Sequence, residues 1–168
     1  HIQTTPVCRP KQVNLQCAPI FRLLKTTREE TRKQLDINDK KMVLITMGGF
    51  QLALPFIDQL KQFKDVFFAL AGQDETHILN NHIIGLGHQS RFFHPDLINA
   101  ADLVICKSGY STVAEIYQAS VPVACVSRTV FPESAIVEQF VVNEMNGSII
   151  HREDFLSGRW LDTLEELL

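Results

Sequence analysis

Six stretches of this chain are apolar nearly from end to end: KMVLITM (41–47), VFFALAG (66–72), HIIGLG (82–87), DLVICK (102–107), PVACVS (122–127) and SII (148–150). A strand with one wetted face alternates apolar and polar residues, so unbroken apolar runs read as strands buried on both faces. Helical patterns lie between them: PFIDQLKQF (55–63) with Pro55 in its first turn, PDLINA (95–100), TVAEIYQA (112–119), and SAIVEQFVVNEM (134–145) closed by Asn146 and Gly147. Strand and helix signals alternating in this way predict an open parallel sheet with helices on both faces, a Rossmann-like α/β fold.

Ahead of the first run, residues 1–25 carry Pro6, Pro10 and Pro19, which break any helix, and LQCAPIFR (15–22) reads as extended. This segment is expected to be an arm or interdomain linker, with residues 26–168 forming the domain. The domain opens with a helix at TREETRKQL (27–35). Thr27 and Glu30 have capping-box spacing, Glu29 and Glu30 sit in the first turn, and Arg32 and Lys33 come later, as the helix dipole favours.

Composition narrows the function classes. A formal net charge of −3 with scattered Lys and Arg gives no basic field for a nucleic acid. The four cysteines, Cys8, Cys17, Cys106 and Cys125, have no metal-ligand spacing, and two lie inside apolar runs, which fits a reducing, cytoplasmic setting. The six histidines show neither i, i+4 pairing nor HExxH, so no metal is expected. No apolar segment approaches the roughly 20 residues that span a bilayer. The start HIQTTPVCRP has no signal-peptide regions and no initiator Met, so the sequence reads as a piece of a longer chain.

In parallel sheets, ligands bind beyond the carboxyl ends of the strands, where loops lead into helix N-termini. The loops MGGFQ (47–51), KSGYST (107–112) and SRTVFPES (127–134) fall there, all with small or polar residues, which points to one shared site. Gly48 and Gly49 fit either a tight turn or a close backbone approach to a phosphate. In KSGYSTVAE, free N–H groups, the hydroxyls of Ser108, Ser111 and Thr112, and the charge of Lys107 suit an anion, with Gly109 letting the backbone come close. The competing reading makes Ser111 or Thr112 an N-cap, with Thr112 and Glu115 as a capping box. Glu115 is placed either for that role or to accept hydrogen bonds from the two hydroxyls of a ribose. In RFFHPD, Phe92, Phe93 and the backbone around His94 can flank a planar base or be core aromatics. No GxSxG elbow supports a hydrolase triad at Ser108.

The segments AADLVICKSGYSTVAEIYQASVPVACVS (100–127) and FPESAIVEQFVVNEMNG (131–147) resemble the C-terminal half of a GT-B glycosyltransferase. The group concerned contains the peptidoglycan N-acetylglucosaminyltransferase, and the resemblance covers roughly residues 19–168. It implies a nucleotide-sugar donor, a UDP-hexose or UDP-N-acetylhexosamine, bound with its ribose on Glu115, its pyrophosphate on Ser108–Thr112 and its uracil near Phe93 and His94. Gly48 and Gly49 then clear space at the donor site. Where the peptidoglycan enzyme carries a His-Gln-type sugar-contacting stretch, this chain has FPES, which makes Glu133 and Ser134 candidates.

The resemblance further implies an acceptor held by a separate N-terminal domain, of about 100 residues or more, that the first 25 residues cannot encode. It implies catalysis without a metal or other cofactor, and peripheral membrane association of the full-length enzyme. On that reading, residues 1–168 bind donor but do not transfer sugar alone. Two other classes stay open: a nucleotide-sugar hydrolase or epimerase of the same fold, and a non-catalytic module that binds a nucleotide-sugar or a partner protein.

Overall fold

The computed structural model describes residues 1–37, 39–48, 54–128 and 131–168. Nine strands are described: β1 Ile2–Thr4, β2 Leu15–Cys17, β3 Lys41–Thr46, β4 Val66–Gln73, β5 His77–Asn80, β6 Ile83–Gly87, β7 Leu103–Lys107, β8 Val123–Val126 and β9 Ser148–Ile150. The helices are α1 Arg28–Gln34, α2 His94–Ala100, α3 Tyr110–Ala119, α4 Ser134–Met145, α5 Arg152–Ser157 and α6 Leu164–Leu167. Seven strands form the main sheet in the order β5-β6-β4-β3-β7-β8-β9, and every neighbouring pair is parallel except the edge pair β5–β6.

The unbroken apolar runs are explained by two core layers. Along β3, Met42 and Leu44 point into the layer made with Leu97 and Ile98 of α2, Val113 and Ile116 of α3, and Val137 and Val141 of α4. Val43 and Ile45 point the other way, against Phe56, Leu60, Phe155, Trp160 and Leu164. With side chains alternating across the sheet, a strand covered on both faces needs apolar residues at every position.

At the opposite edge of the strands from the expected site, Asp102 joins three elements. It accepts from Arg28 (2.6 Å) and Arg32 (3.2 Å) of α1 and from the N–H of Met42 (2.7 Å) at the start of β3. Burial alone would raise its carboxyl pKa, but that N–H and the two guanidinium groups hold it below the ordinary value.

Three expectations are corrected. The helical pattern at 55–63 is not an α-helix: the chain makes turns and a 3-10 helix at Gln59–Gln62. Tertiary packing overrides the pattern here. Phe56 and Leu60 are fully buried, Phe56 lies edge-on to both Phe155 and Trp160, and Gly158 presses against Phe56 and Gln59 with no room for a Cβ. The edge strand β5 was not expected, because THILNN carries too short an apolar stretch to announce itself. Residues 1–25 are less irregular than predicted: β1 and β2 pair in parallel, and Pro6 and Pro19 are buried. The Thr27–Glu30 capping box is present in full.

Candidate functional site

The chain runs outward from β3 through β4 to β6, then returns to the other side of β3 and runs outward through β7, β8 and β9. The crevice over β3 and β7 is therefore the topological switch point, where two loops diverge and leave space between them. A cavity of about 400 Å³ opens there, lined by Thr46 at the end of β3 and Gly48 beyond it, Gly87 at the end of β6 and His88 beyond it, Phe92 and His94 at α2, and Thr112 in the first turn of α3.

At the α2 end, polar groups close on one another. Glu115, buried at 5% exposure in the second turn of α3, accepts from Arg22 Nε through Oε1 (2.6 Å) and pairs with His94 Nδ1 through Oε2 (3.1 Å). His94 Nε2 in turn lies 3.0 Å from the hydroxyl of Thr46 at the tip of β3. Burial pushes the Glu115 carboxyl up, but the hydrogen bonds and charges of His94 and Arg22 outweigh it and hold the carboxyl below its ordinary value. Phe93 is the N-cap of α2, and its ring carries two cations, Lys25 at 4.1 Å and Arg22 at 5.1 Å from the centroid.

At the α3 end the opposite holds. The N-cap of α3 is Gly109, and no side chain among the described residues caps the helix. This overturns the capping-box reading of Thr112 and Glu115, since the carboxylate is spent on Arg22 and His94. The Oγ of Ser108 is buried with no hydrogen-bond partner among the described residues. Gly109 has extended backbone (φ −129°), and a Cβ built on it would meet nothing closer than 3.8 Å. Neither backbone strain nor packing within the described residues asks for a glycine at this position. Ser111 is exposed, and Thr112 borders the cavity.

Gly48 answers differently. Its φ is +69°, and a Cβ there would lie 2.7 Å from Nζ of Lys107. The left-handed φ already calls for glycine, and Nζ of the lysine on the neighbouring strand lies where its Cβ would point. Burial first, then the charge of Arg128, lower the Lys107 pKa. Gly49 lies outside the described residues. Beyond β8, Arg128 stacks on the half-exposed ring of Phe131 (4.1 Å). Ser134 starts α4 with a buried hydroxyl that has no partner among the described residues, while Glu133 is exposed.

Sequence reasoning missed three participants. Arg22 reaches Glu115 across 93 residues of chain, a contact that local patterns do not carry. Tyr110 donates to Thr4 Oγ1 (2.9 Å) and accepts from the N–H of Ile20 (3.1 Å), so it pins the arm at two points. Thr46 did leave a signal, as the polar residue inside an apolar strand run.

Among the described residues, no three His, Cys, Asp or Glu side chains come together as metal ligands, and no helix is long and apolar enough to cross a membrane.

No family model matches the chain. Over 150 residues it is 31% identical to the L-arabinokinase of Arabidopsis thaliana, which covers 87% of this chain and 14% of that protein. It is 34% identical over 122 aligned residues to the UDP-N-acetylglucosamine--N-acetylmuramyl-(pentapeptide) pyrophosphoryl-undecaprenol N-acetylglucosamine transferase of Desulforudis audaxviator, covering 60% of this chain and 32% of that one. The crystal structure of MurG from Acinetobacter baumannii superposes on 96% of this chain and 51% of its own, with a TM-score of 0.59 at 18% identity. The fold is thus that of one half of a GT-B glycosyltransferase, as the sequence resemblance implied. The chain spans well under half the length of both sequence relatives.

Proposed function

We propose that this chain is the donor-binding half of a glycosyltransferase, holding a UDP-hexose or UDP-N-acetylhexosamine for transfer to an acceptor bound by a separate domain. The observation that carries this reading is the Ser108–Gly109 turn. Among the described residues, a helix N-terminus without a side-chain cap, a buried hydroxyl without a partner and a glycine that its surroundings do not require meet at the switch point of a parallel sheet. Free N–H groups at a helix N-terminus suit a diphosphate, and the missing Cβ lets its oxygens reach the backbone. The ammonium of Lys107, held over Gly48 on the cavity's rim, adds a positive charge. On this reading the protein contributes orientation and electrostatic stabilisation of the departing diphosphate, while the acceptor and its base come from outside residues 1–168.

A second reading is favoured by one finding. The stretch similar to L-arabinokinase covers only 14% of that protein, so a domain of this kind occurs within a larger chain named for a different reaction. Residues 1–168 would then be a nucleotide-sugar-binding module without transfer of its own.

Calorimetry with UDP, ADP, GDP and UDP-N-acetylglucosamine tests the shared part of both readings. Selective binding of the uridine nucleotides is expected. Equal weak binding of all four, or none, would remove the uridine assignment. Donor turnover on adding a separately expressed acceptor half would favour the transferase over the module.

A further inference from the structure

The arm is folded across the site rather than away from it. Its backbone is fixed on either side of Arg22: the N–H of Ile20 is bonded to Tyr110 Oη (3.1 Å), and the N–H of Lys25 to Oδ1 of the buried Asp96 (2.8 Å). Thr26 Oγ1 adds a bond to the other oxygen of Asp96 (3.0 Å). The arm is therefore tied to the N-terminal ends of α2 and α3.

Held in this way, Arg22 is aimed at the two groups that a nucleoside would use. Its Nε takes one oxygen of Glu115, and its guanidinium lies over the ring of Phe93. The second oxygen of Glu115 belongs to His94. A ribose diol arriving at Glu115 finds the carboxylate already hydrogen-bonded on both sides. Resting on the donor-site reading above, we propose that Arg22 is a self-ligand gate. Its guanidinium stands in for the ribose on Glu115, and a ribose reaches the carboxylate only by displacing it, so the gate opens to ligands whose vicinal hydroxyls can replace what the carboxylate loses.

The physical case is one of competing partners. Glu115 is nearly fully buried, so its carboxylate cannot be left bare when Arg22 departs. A diol offers two neutral donors in place of one charged donor. A ligand without them cannot cover the oxygen that Arg22 would expose, so it leaves Arg22 in place. Arg22 itself is more than half exposed and regains water on leaving, which keeps the gate openable.

The test is titration calorimetry of uridine diphosphate and its 2′,3′-dideoxy analogue against the wild-type chain and Arg22→Ala. If Arg22 competes for Glu115, the variant binds uridine diphosphate about threefold to tenfold tighter, because the competent state no longer has to be freed first. The analogue should gain little, since it has nothing to put on Glu115. Tyr110→Phe, which loosens the arm but keeps Arg22, should shift the diphosphate affinity in the same direction by less. Unchanged or weaker binding of uridine diphosphate to Arg22→Ala overturns the gate while leaving the donor site standing. An equal gain for both ligands overturns it too, since Arg22 would then be a steric plug. No nucleotide binding by any form removes the donor-site reading and the gate together.

Discussion

At the α2 end of the crevice, Glu115, His94, Thr46 and Arg22 are joined by hydrogen bonds, with Arg22 lying over the ring of Phe93. A few residues away, at the α3 end, and among the described residues, Ser108 has no partner, the helix has no side-chain cap and nothing packs where a Gly109 Cβ would stand. Both ends lie on one sheet edge, and one helix, α3, contributes to each. A buried polar group left unpaired costs about 1–3 kcal/mol, and the Ser108 hydroxyl is one of four such groups among the described residues, with His82, Ser134 and Trp160. The α2 end is organised by the chain itself, and its substitution should be felt in stability. On the donor-site reading the α3 end is left open for a diphosphate, and its substitution should be felt in binding.

Glu115→Ala should produce the largest effect and would break the contrast if it did not. Removing a buried charged acceptor with two partners is expected to cost about 1.5–3 kcal/mol of stability, read as a lower midpoint in urea with unchanged slope. The arm should become more susceptible to proteolysis at residues 18–25, since Arg22 is one of its ties. An unchanged midpoint would mean that the α2 end is not held by its own network.

Gly109→Ala should do the reverse. With extended backbone and no contact inside 3.8 Å, the methyl group fits the free protein. The reduced freedom of the unfolded chain and the weaker N-cap roughly cancel, leaving stability within about 0.5 kcal/mol. Uridine diphosphate binding should weaken by about tenfold or more, because the methyl group projects where phosphate oxygens must come. A loss of stability without a loss of binding would make the turn a structural feature only.

Ser108→Ala sharpens the same contrast at smaller amplitude. Deleting an unpaired buried hydroxyl should leave the melting temperature unchanged or slightly raised. Binding of uridine diphosphate should fall by about threefold to tenfold if the hydroxyl meets a phosphate oxygen. Unchanged binding would assign the orphan to the fold rather than to a ligand.

The α3 end was far more legible in the sequence than the α2 end, for a physical reason. A strand that stops at Lys107 and a helix that starts at Tyr110 are neighbours in the chain, so the loop between them, and its place at the sheet's carboxyl edge, follow from local pattern. The partners of Glu115 come from the arm and from α2, at separations of 93 and 21 residues, and no periodicity encodes them. Gly48 shows the same limit. Its glycine was legible as a place needing space, but the group that takes the space, Lys107 Nζ, sits on the neighbouring strand and is known only once β3 and β7 are paired. The apolar runs foretold the six parallel strands well because burial on both faces leaves a mark at every residue. The 55–63 segment misled because its apolar spacing suits an α-helix, while the choice of a 3-10 turn is made by Phe155, Trp160 and Gly158, about 100 residues later.

Acid offers the gentlest way to separate the two ends. The folded protein holds the Glu115 carboxyl below its ordinary value because His94 and Arg22 favour the charged form. A carboxylate with a depressed folded pKa lends stability that is fully present above the unfolded value of about 4.3 and is lost as pH falls through the folded value. Between those two points the arm's tie to Glu115 should weaken while the α3 end, which has no carboxylate, is untouched. Asp102, also held low, contributes over a similar range, so the slope must be compared with that of Glu115→Gln, in which only the Glu115 share is removed. The wild-type chain should show the steeper loss of stability on acidification, by no more than about 1 kcal/mol, since Arg22 is solvent-screened. Parallel curves for the two proteins would mean that the Arg22–Glu115 pair adds nothing to stability, and the α2 end would then be closed by geometry rather than by charge.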